Sequence, residues 1–262
     1  TVPVAWTYPR HDHPYFELCV LEAGEQHTRL TGHTLIQHPG DILLLCPFDA
    51  HGSSAPLGAT LFCMHFDVDE MALRRLLCRA GSRVFQADSP VARQLHTPLQ
   101  QLRNLSLASD SHALVQRLQL TSHLFAFFAE LAQALLMENH HLPELSQATL
   151  QTASRLAERI ERAVENGTPL FSIESAIKQL GYHPDHGNAM FRQAFGFSAR
   201  QYRSSLKLRR AKMLLLDNAL GIGEVAQRLG YDDGMRFSRQ FKRWCGLSPS
   251  QFRAEIGLAK TE

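Results

Sequence analysis

Short apolar runs separated by turn residues dominate the chain from about residue 15 to residue 67. The runs "ILLL" and "LFCM" are uniformly apolar, whereas "HTRL" alternates between polar and apolar positions. Many short strands at even spacing are typical of an antiparallel sandwich or barrel. This region therefore predicts a β-barrel.

The pattern changes to that of helices after about residue 68. The segment from Ser111 to Met137 contains neither Gly nor Pro and is apolar on more than one face. A wide apolar stripe indicates burial against more than one surface. Two interpretations stay open, packing against the sheet and a subunit interface. The apolar positions are Leu118, Phe125, Phe128 and Leu135 on one stripe, with Leu124, Phe127 and Leu131 beside it.

A polar stretch that contains Pro143 divides the chain into two domains. We predict a domain over 1–136, a linker over 137–147 and a second domain over 148–262, where every periodic segment is helical. The predicted fold class is α+β multidomain, with an N-terminal β-barrel that carries a helical hairpin and an all-α C-terminal domain.

Charge is distributed unevenly between these two parts. The chain has 262 residues and a formal net charge of +2. Residues 1–150 contain 9 Lys and Arg against 14 Asp and Glu, whereas residues 151–262 contain 18 against 11. A basic second half beside an acidic first half indicates a polyanionic partner for the second half alone.

Cysteine usage and hydropathy favour a cytoplasmic protein. The five cysteines are scattered, and no C-x-x-C pair occurs, so we expect reduced thiols rather than disulfides or a zinc cluster. Neither a run of 18 apolar residues nor a secretory signal pattern is present, so we expect no membrane span.

A repeat lies within the basic half. "AIKQLGYHPDHGNAMFRQAFGFSARQYR" begins at residue 176, and "VAQRLGYDDGMRFSRQFKRWCGLSPSQFR" begins at residue 225. Each copy has the pattern of a helix, a turn at Gly181 or Gly230, and a second helix that ends at a glycine. Two helices joined by a tight glycine turn are typical of a helix-turn-helix unit.

The second helix of copy two has the pattern of a DNA-reading helix. Phe237 and Phe241 lie four residues apart and mark a buried face, while cations occupy the other faces. We expect Arg239 to contact bases, and Lys242 and Arg243 to contact phosphates. A solvated charged face is the plainer interpretation of one such helix, but two copies in a basic half favour DNA. The candidate DNA-binding residues here are Met235, Arg236, Ser238, Arg239, Lys242 and Arg243.

Residues 150–256 resemble the double helix-turn-helix domain of the AraC/XylS family of bacterial transcription regulators, most closely through "GEVAQRLGYDDGMRFSRQFKRWCGLSPSQFR". The resemblance implies two reading helices in successive major grooves of double-stranded DNA, joined by a connecting helix. Copy one departs from the pattern, with Gly187 where copy two has Phe237 and Ala189 where it has Arg239. We therefore expect weaker binding by copy one, through Asp185, His186, Asn188 and Arg192.

The N-terminal region resembles the cupin-like barrel that many of these regulators carry as a sensor. "HDHPYFELCVLEAG" and "GDILLLCPFDAH" fit the two cupin motifs, and in metal-dependent cupins the positions of His11, His13, Glu17 and His51 ligate a divalent transition metal. Three interpretations stay open: a pocket for an organic effector, in which Arg29 joins these four residues; a metal site; and polar residues kept for structure. For His65 two interpretations stay open, a member of this pocket and a core histidine, and we expect the core histidine.

The sequence favours a regulator over an enzyme. It shows no GxGxxG loop and no nucleophile–base pair. The resemblance implies a cytoplasmic homodimer that works with RNA polymerase and responds to a small effector such as a sugar. We expect an activator, and a repressor or a regulator that uses both modes stays open as the alternative. No cofactor is expected beyond the metal alternative.

Overall fold

The computed structural model describes residues 4–107, 113–139, 144–169 and 171–258. The chain forms two compact units: residues 1–10 with 16–143, and residues 11–15 with 144–262. The grouping of residues 11–15 with the second unit differs from the predicted domain 1–136. Helix continues to Asn139, inside the predicted linker, whose residues 140–143 lie outside the described part, as do the first two residues of the predicted helix at Ser111.

The first unit contains two antiparallel sheets and three helices. Its strands are β1 (Trp6–Thr7), β2 (Phe16–Gly24), β3 (Gln26–Arg29), β4 (Thr34–Gln37), β5 (Ile42–Leu45), β6 (Gly52–Ala55), β7 (Ala59–Phe66) and β8 (Arg83–Phe85). One sheet has the order β1-β6-β3-β4 and the other β7-β2-β5-β8. The helices are α1 (Met71–Ala80), α2 (Pro90–Leu107) and α3 (Ala113–Asn139).

Alternation along β2 separates two environments. Phe16 and Leu18 belong to the large core that the helices cover, together with Phe127 of α3. Cys19 belongs instead to a smaller apolar cluster with Leu43 of β5. Because successive side chains in a strand point to opposite faces, the odd-numbered residues from Glu17 to Leu21 face away from the helices.

A disulfide joins Cys19 to Cys63. The expectation that all cysteines are reduced is therefore wrong for this pair, whereas Cys46, Cys78 and Cys245 are free thiols. Cys19 lies directly opposite Cys63 in the β2–β7 register. The pairing is non-local, with a sequence separation of 44, so spacing along the chain gave no sign of it.

Helix α3 uses only part of its apolar surface inside the unit. Phe127 and Leu131 are fully buried, and Phe128 packs against Phe66 with a ring separation of 5.1 Å. Phe125 and Leu118 remain 72 % and 62 % exposed. The segment Leu114–Glu138 is long and apolar enough to cross a membrane by length and composition alone. The residues of its buried face, however, pack in the core of the first unit.

The second unit is helical and contains the repeat. Its helices are α4 (Gln147–Glu165), α5 (Ile173–Gln179), α6 (Pro184–Phe195), α7 (Ala199–Leu215), α8 (Ile222–Arg228), α9 (Gly234–Cys245) and α10 (Pro249–Leu258). Pairs α5–α6 and α8–α9 form the two copies, with α7 between them. Gly181 and Gly230 have φ angles of 86° and 74° in the turns, a conformation that side chains with a Cβ rarely adopt.

Candidate DNA interface and effector site

Helix α9 is strongly two-faced. Phe237 and Phe241 are fully buried, and they pack with Leu208 of α7 in one apolar cluster. Asp233 caps the helix, since its Oδ1 accepts a hydrogen bond of 2.8 Å from the Met235 amide. The opposite face carries the predicted contact residues, among which Met235, Arg236, Arg239, Lys242 and Arg243 are all exposed.

The cations of α9 differ in their partners. Within the described residues, Arg236, Arg239 and Lys242 form no ion pair, so their charges face solvent. Arg243 donates from Nε and Nη2 to the Asp12 carboxylate at 2.9 and 2.8 Å, inside the second unit, and this contact raises the pKa of Arg243. A phosphate that binds Arg243 must therefore compete with Asp12.

Helix α6 presents fewer cations than α9. Asp185, His186 and Arg192 are exposed, and Asn188 donates from Nδ2 to the Pro184 carbonyl at 3.1 Å. Ser238, the counterpart of Asn188 in α9, likewise donates to the carbonyl four residues earlier, that of Gly234, at 2.9 Å. Both side chains therefore hydrogen-bond their own helix, which leaves Arg192 as the cation of α6.

Two cations of α7 contact other residues of the second unit. Lys207 lies 4.5 Å from the centre of the Tyr231 ring, and burial, followed by repulsion from Arg203, lowers its pKa to about 8. Arg203 donates to the Phe171 carbonyl at 3.0 Å. These contacts hold the two copies together, so part of the basic character of this helix has a structural cause.

Glu17 is the centre of a polar cluster in the first unit. Its Oε2 lies 3.5 Å from Nε2 of His51 and 3.3 Å from Nε2 of His65. Burial alone lowers the pKa of His51, but the Glu17 carboxylate and the Asp49 carbonyl outweigh it and raise that pKa overall. The side chain of His65 is 51 % exposed, so the expectation of a core histidine is wrong and His65 joins the cluster.

The other two predicted ligands lie in the segment 11–15. The rings of His11 and His13 are 5.5 Å apart. His13 is buried, with Nδ1 3.0 Å from the Tyr15 carbonyl oxygen. The structure thus brings Glu17 and His51 together within the first unit, and His11 and His13 together within the segment.

Arg29 does not join a pocket in the barrel. It is exposed on β3, where the buried side chains are those of Gln26 and Thr28, because alternation turns Arg29 to the opposite face. Gln26 and Gln37 are buried, and neither side-chain oxygen has a hydrogen-bond partner in the described structure. Sequence reasoning missed Gln26 and Gln37 because "QHTR" and "TLIQ" do not reveal which face of each strand is buried.

A separate cavity of about 380 Å³ lies between the sheet and α2. Val20, Ile42, His96 and Arg103 are among the residues that line it. None of the predicted effector residues lines this cavity. It lies on the helix-covered side of β2, away from Glu17 and Cys19.

Two protein-family models match this chain, one over its N-terminal part and one over its C-terminal part. A family model described as an AraC-like ligand binding domain matches residues 4–128, and one described as a helix-turn-helix domain matches residues 177–255. The arabinose operon regulatory protein of Escherichia coli is 37 % identical over 84 residues, which cover 32 % of this chain and 29 % of that protein. The chain thus spans about a third of the length of the arabinose operon regulatory proteins that it matches.

Two further similarities extend over nearly the whole chain. An uncharacterised helix-turn-helix transcriptional regulator of Bacillus subtilis, YobQ, is 25 % identical over 94 % of this chain and 89 % of its own length. The crystal structure of ToxT from Vibrio cholerae with a bound unsaturated fatty acid aligns with a TM-score of 0.58 at 10 % identity, over 95 % of this chain and 90 % of ToxT. At that identity the likeness concerns the fold alone.

Proposed function

The chain belongs to the AraC family of transcription regulators. From this premise we propose that it binds specific sequences in double-stranded DNA and responds to a small molecule bound in its first unit, which we call the β-domain. Its matched domains are those of regulators rather than enzymes. The proposal assigns DNA recognition to α6 and α9.

The two-faced character of α9 carries the proposal. Phe237 and Phe241 fix one face in the core, so Arg236, Arg239 and Lys242 project from the other face of a rigid helix. A helix presented in this way fits the major groove, where arginine can pair in bidentate fashion with guanine. Exposed cations that form no ion pair within the described residues keep their charge available for DNA.

Copy two provides most of the base discrimination in this proposal. Arg239 in α9 has Ala189 as its counterpart in α6, and alanine offers no hydrogen bond to a base edge. Asn188 first satisfies its own helix. Helix α6 then contributes mainly through Arg192, with His186 and Asp185 near the start of the helix.

The effector is a polar organic molecule with several hydroxyl groups, such as a sugar. Support comes from the buried oxygens of Gln26 and Gln37 that lack a hydrogen-bond partner, because buried polar atoms normally have one. The arabinose operon regulators among the relatives agree with a sugar. Glu17 and His51 add a carboxylate and an imidazole, which are natural hydrogen-bond partners for hydroxyl groups.

A divalent transition metal is the alternative ligand of the β-domain. Imidazole and carboxylate donors suit iron, manganese or zinc, and the separation of Glu17 and His51 is close enough for one ion to contact both after small shifts. Glu17 and His51, two of the four predicted ligands, would hold it within the first unit. Such an ion would orient an effector or act as the signal itself.

We also propose how the chain assembles and acts. We expect a homodimer formed through the exposed stripe of α3, which acts in the cytoplasm and recruits RNA polymerase as an activator. A bound effector can shift transcription only if its affinity differs between two arrangements of the dimer.

DNA binding is tested with fragments enriched from a genomic library by the purified chain. Fluorescence anisotropy on an enriched fragment should show that Arg236→Ala/Arg239→Ala weakens binding by about tenfold or more. Arg162→Ala, an exposed arginine of α4 paired with Glu158, serves as the matched control and should bind as the wild type does. Equal binding by both variants would remove α9 from the interface.

A further inference from the structure

The β2–β7 ladder places four metal-binding side chains on one face. Cys19 lies opposite Cys63, and Glu17 lies opposite His65. Residues two apart in a strand share a face, and directly opposite residues in an antiparallel pair share it too. The two strands therefore present two sulfurs, a carboxylate and an imidazole as one group.

The donor atoms of this group are close together. A carboxylate oxygen of Glu17 and the Sγ atoms of Cys19 and Cys63 all lie within 4.8 Å of one another. Glu17 Oε1 is 3.2 Å from Cys19 Sγ, and its other oxygen is 3.3 Å from His65 Nε2. A disulfide sulfur carries no proton, so the Glu17–Cys19 contact becomes a hydrogen bond only when Cys19 is a thiol.

We propose that Cys19 and Cys63 form a redox-controlled metal site with Glu17 and His65. In the reduced protein the two thiolates, the carboxylate and the imidazole bind a divalent cation of the zinc class. Two thiolates with one imidazole and one oxygen donor suit tetrahedral zinc. In the oxidised protein the disulfide removes both thiolates, and the cation is lost.

The redox step is balanced by ordinary thiol chemistry. Two thiols and one hydrogen peroxide give the disulfide and two waters, and two equivalents of a small thiol reverse the step by exchange through a mixed disulfide. Cys63 is exposed on β7, which lies at the edge of its sheet, whereas Cys19 is buried. Oxidant and reductant therefore reach the pair through Cys63.

This site differs from the cupin-type site in its thiolates and does not rest on DNA binding. Both sites share Glu17, which also contacts His51. Occupation by a metal or closure of the disulfide therefore changes the polar cluster of the β-domain directly.

The experiment is a Co²⁺ titration of the full chain under anaerobic conditions. Protein reduced with a phosphine and freed of reductant should bind one equivalent of Co²⁺ and show the near-ultraviolet thiolate-to-cobalt charge-transfer band. Protein oxidised with hydrogen peroxide should lack the band, and peptide mapping should recover the Cys19–Cys63 cross-link. DNA-binding failure leaves this readout unchanged, so the two proposals fail separately.

Variants identify the ligands. Cys63→Ser should lose the band, and the isosteric Glu17→Gln should weaken Co²⁺ binding by about tenfold or more while keeping the band. Cys78→Ser, which removes a free thiol from the same unit, should behave as the wild type does. A band that survives oxidation or Cys63→Ser, its absence from the reduced protein, or a disulfide that resists the phosphine would each overturn the proposal.

Discussion

A Cβ atom added to Gly187 in α6 would lie 2.2 Å from Cγ2 of Ile177 in α5. In the second copy the residue at the position of Ile177 is Ala226, and the residue at the position of Gly187 is Phe237. Ala226 and Phe237 are both buried in one cluster. The two copies thus fill the same helix–helix contact in opposite ways, with the large side chain on the first helix in copy one and on the second helix in copy two.

This exchange predicts strong coupling between positions 177 and 187. Gly187→Ala should destabilise the second unit by about 1–3 kcal/mol through overpacking, although alanine is favoured over glycine in a helix by about 1 kcal/mol. Ile177→Ala should cost about 2–5 kcal/mol through a cavity. The double variant should cost less than the sum by about 1 kcal/mol or more.

Guanidinium unfolding measures this coupling. A Trp6→Phe background leaves Trp244 as the single tryptophan and hence as a fluorescence reporter of the second unit. Gly223→Ala in α8 is the matched control, since nothing lies within 4 Å of the added Cβ, and it should not destabilise. Additive costs for the double variant would show that the two positions are independent.

Base specificity should depend more on Arg239 than on Asn188. Loss of one good bidentate contact costs about 1–3 kcal/mol of discrimination, so Arg239→Ala should flatten the preference at one base pair. Asn188→Ala removes a side chain that hydrogen-bonds its own helix and should change the preference less. Anisotropy against every single-base variant of an enriched site gives both profiles, and a larger loss for Asn188→Ala would reverse the ranking.

Lys207 should make the second unit more stable as the pH rises. Its pKa is about 8 in the fold against an ordinary value of 10.5, so between these values the unfolded chain binds more protons and stability increases with pH. The contribution is full above the ordinary value and is lost as the pH falls through about 8. Lys207→Met, which does not titrate, removes this slope.

Unfolding of wild type and Lys207→Met at a series of pH values from about 7 to about 10 isolates the effect, because all other groups are common to both. The stability of the variant relative to the wild type should fall steadily across the series. A constant difference would place Lys207 in a well-solvated setting.

Phe125 and Phe128 should respond differently to a charge. Phe125 is 72 % exposed on α3, so Phe125→Glu should give folded monomers in sedimentation experiments if α3 forms the dimer. Phe128 packs against Phe66, so Phe128→Glu should lower the thermal stability of the β-domain instead. A dimer that survives Phe125→Glu would place the interface elsewhere.

Most of the correct predictions came from patterns among residues that lie close together in the sequence. The buried face of α9 could be predicted because Phe237 and Phe241 recur at helical spacing, and the repeat follows from matched glycines and aromatic residues. Strand pairing is non-local, which is why the Cys19–Cys63 disulfide and the role of His65 escaped. Arg29 was misplaced for a related reason: alternation defines two faces of β3 but does not show which of them is buried.

The exchange of large and small side chains between the two helices of a copy could not be predicted from the sequence either. Glycine is less favourable than alanine in a helix, so the sequence alone gives no reason for Gly187 in copy one. Only the packed structure places Ile177 in the space that a side chain at position 187 would need. Copy one therefore departs from copy two without loss of packing.

Hydroxyl-radical footprinting of the purified chain on a fragment enriched from genomic DNA tests the central claim most directly. Two helix-turn-helix units on one rigid support predict two protected segments on the same face of the duplex, about one helical turn apart, with Arg239→Ala weakening one of them. Uniform protection along the fragment, or an identical footprint with Arg239→Ala, would contradict sequence-specific recognition by α6 and α9.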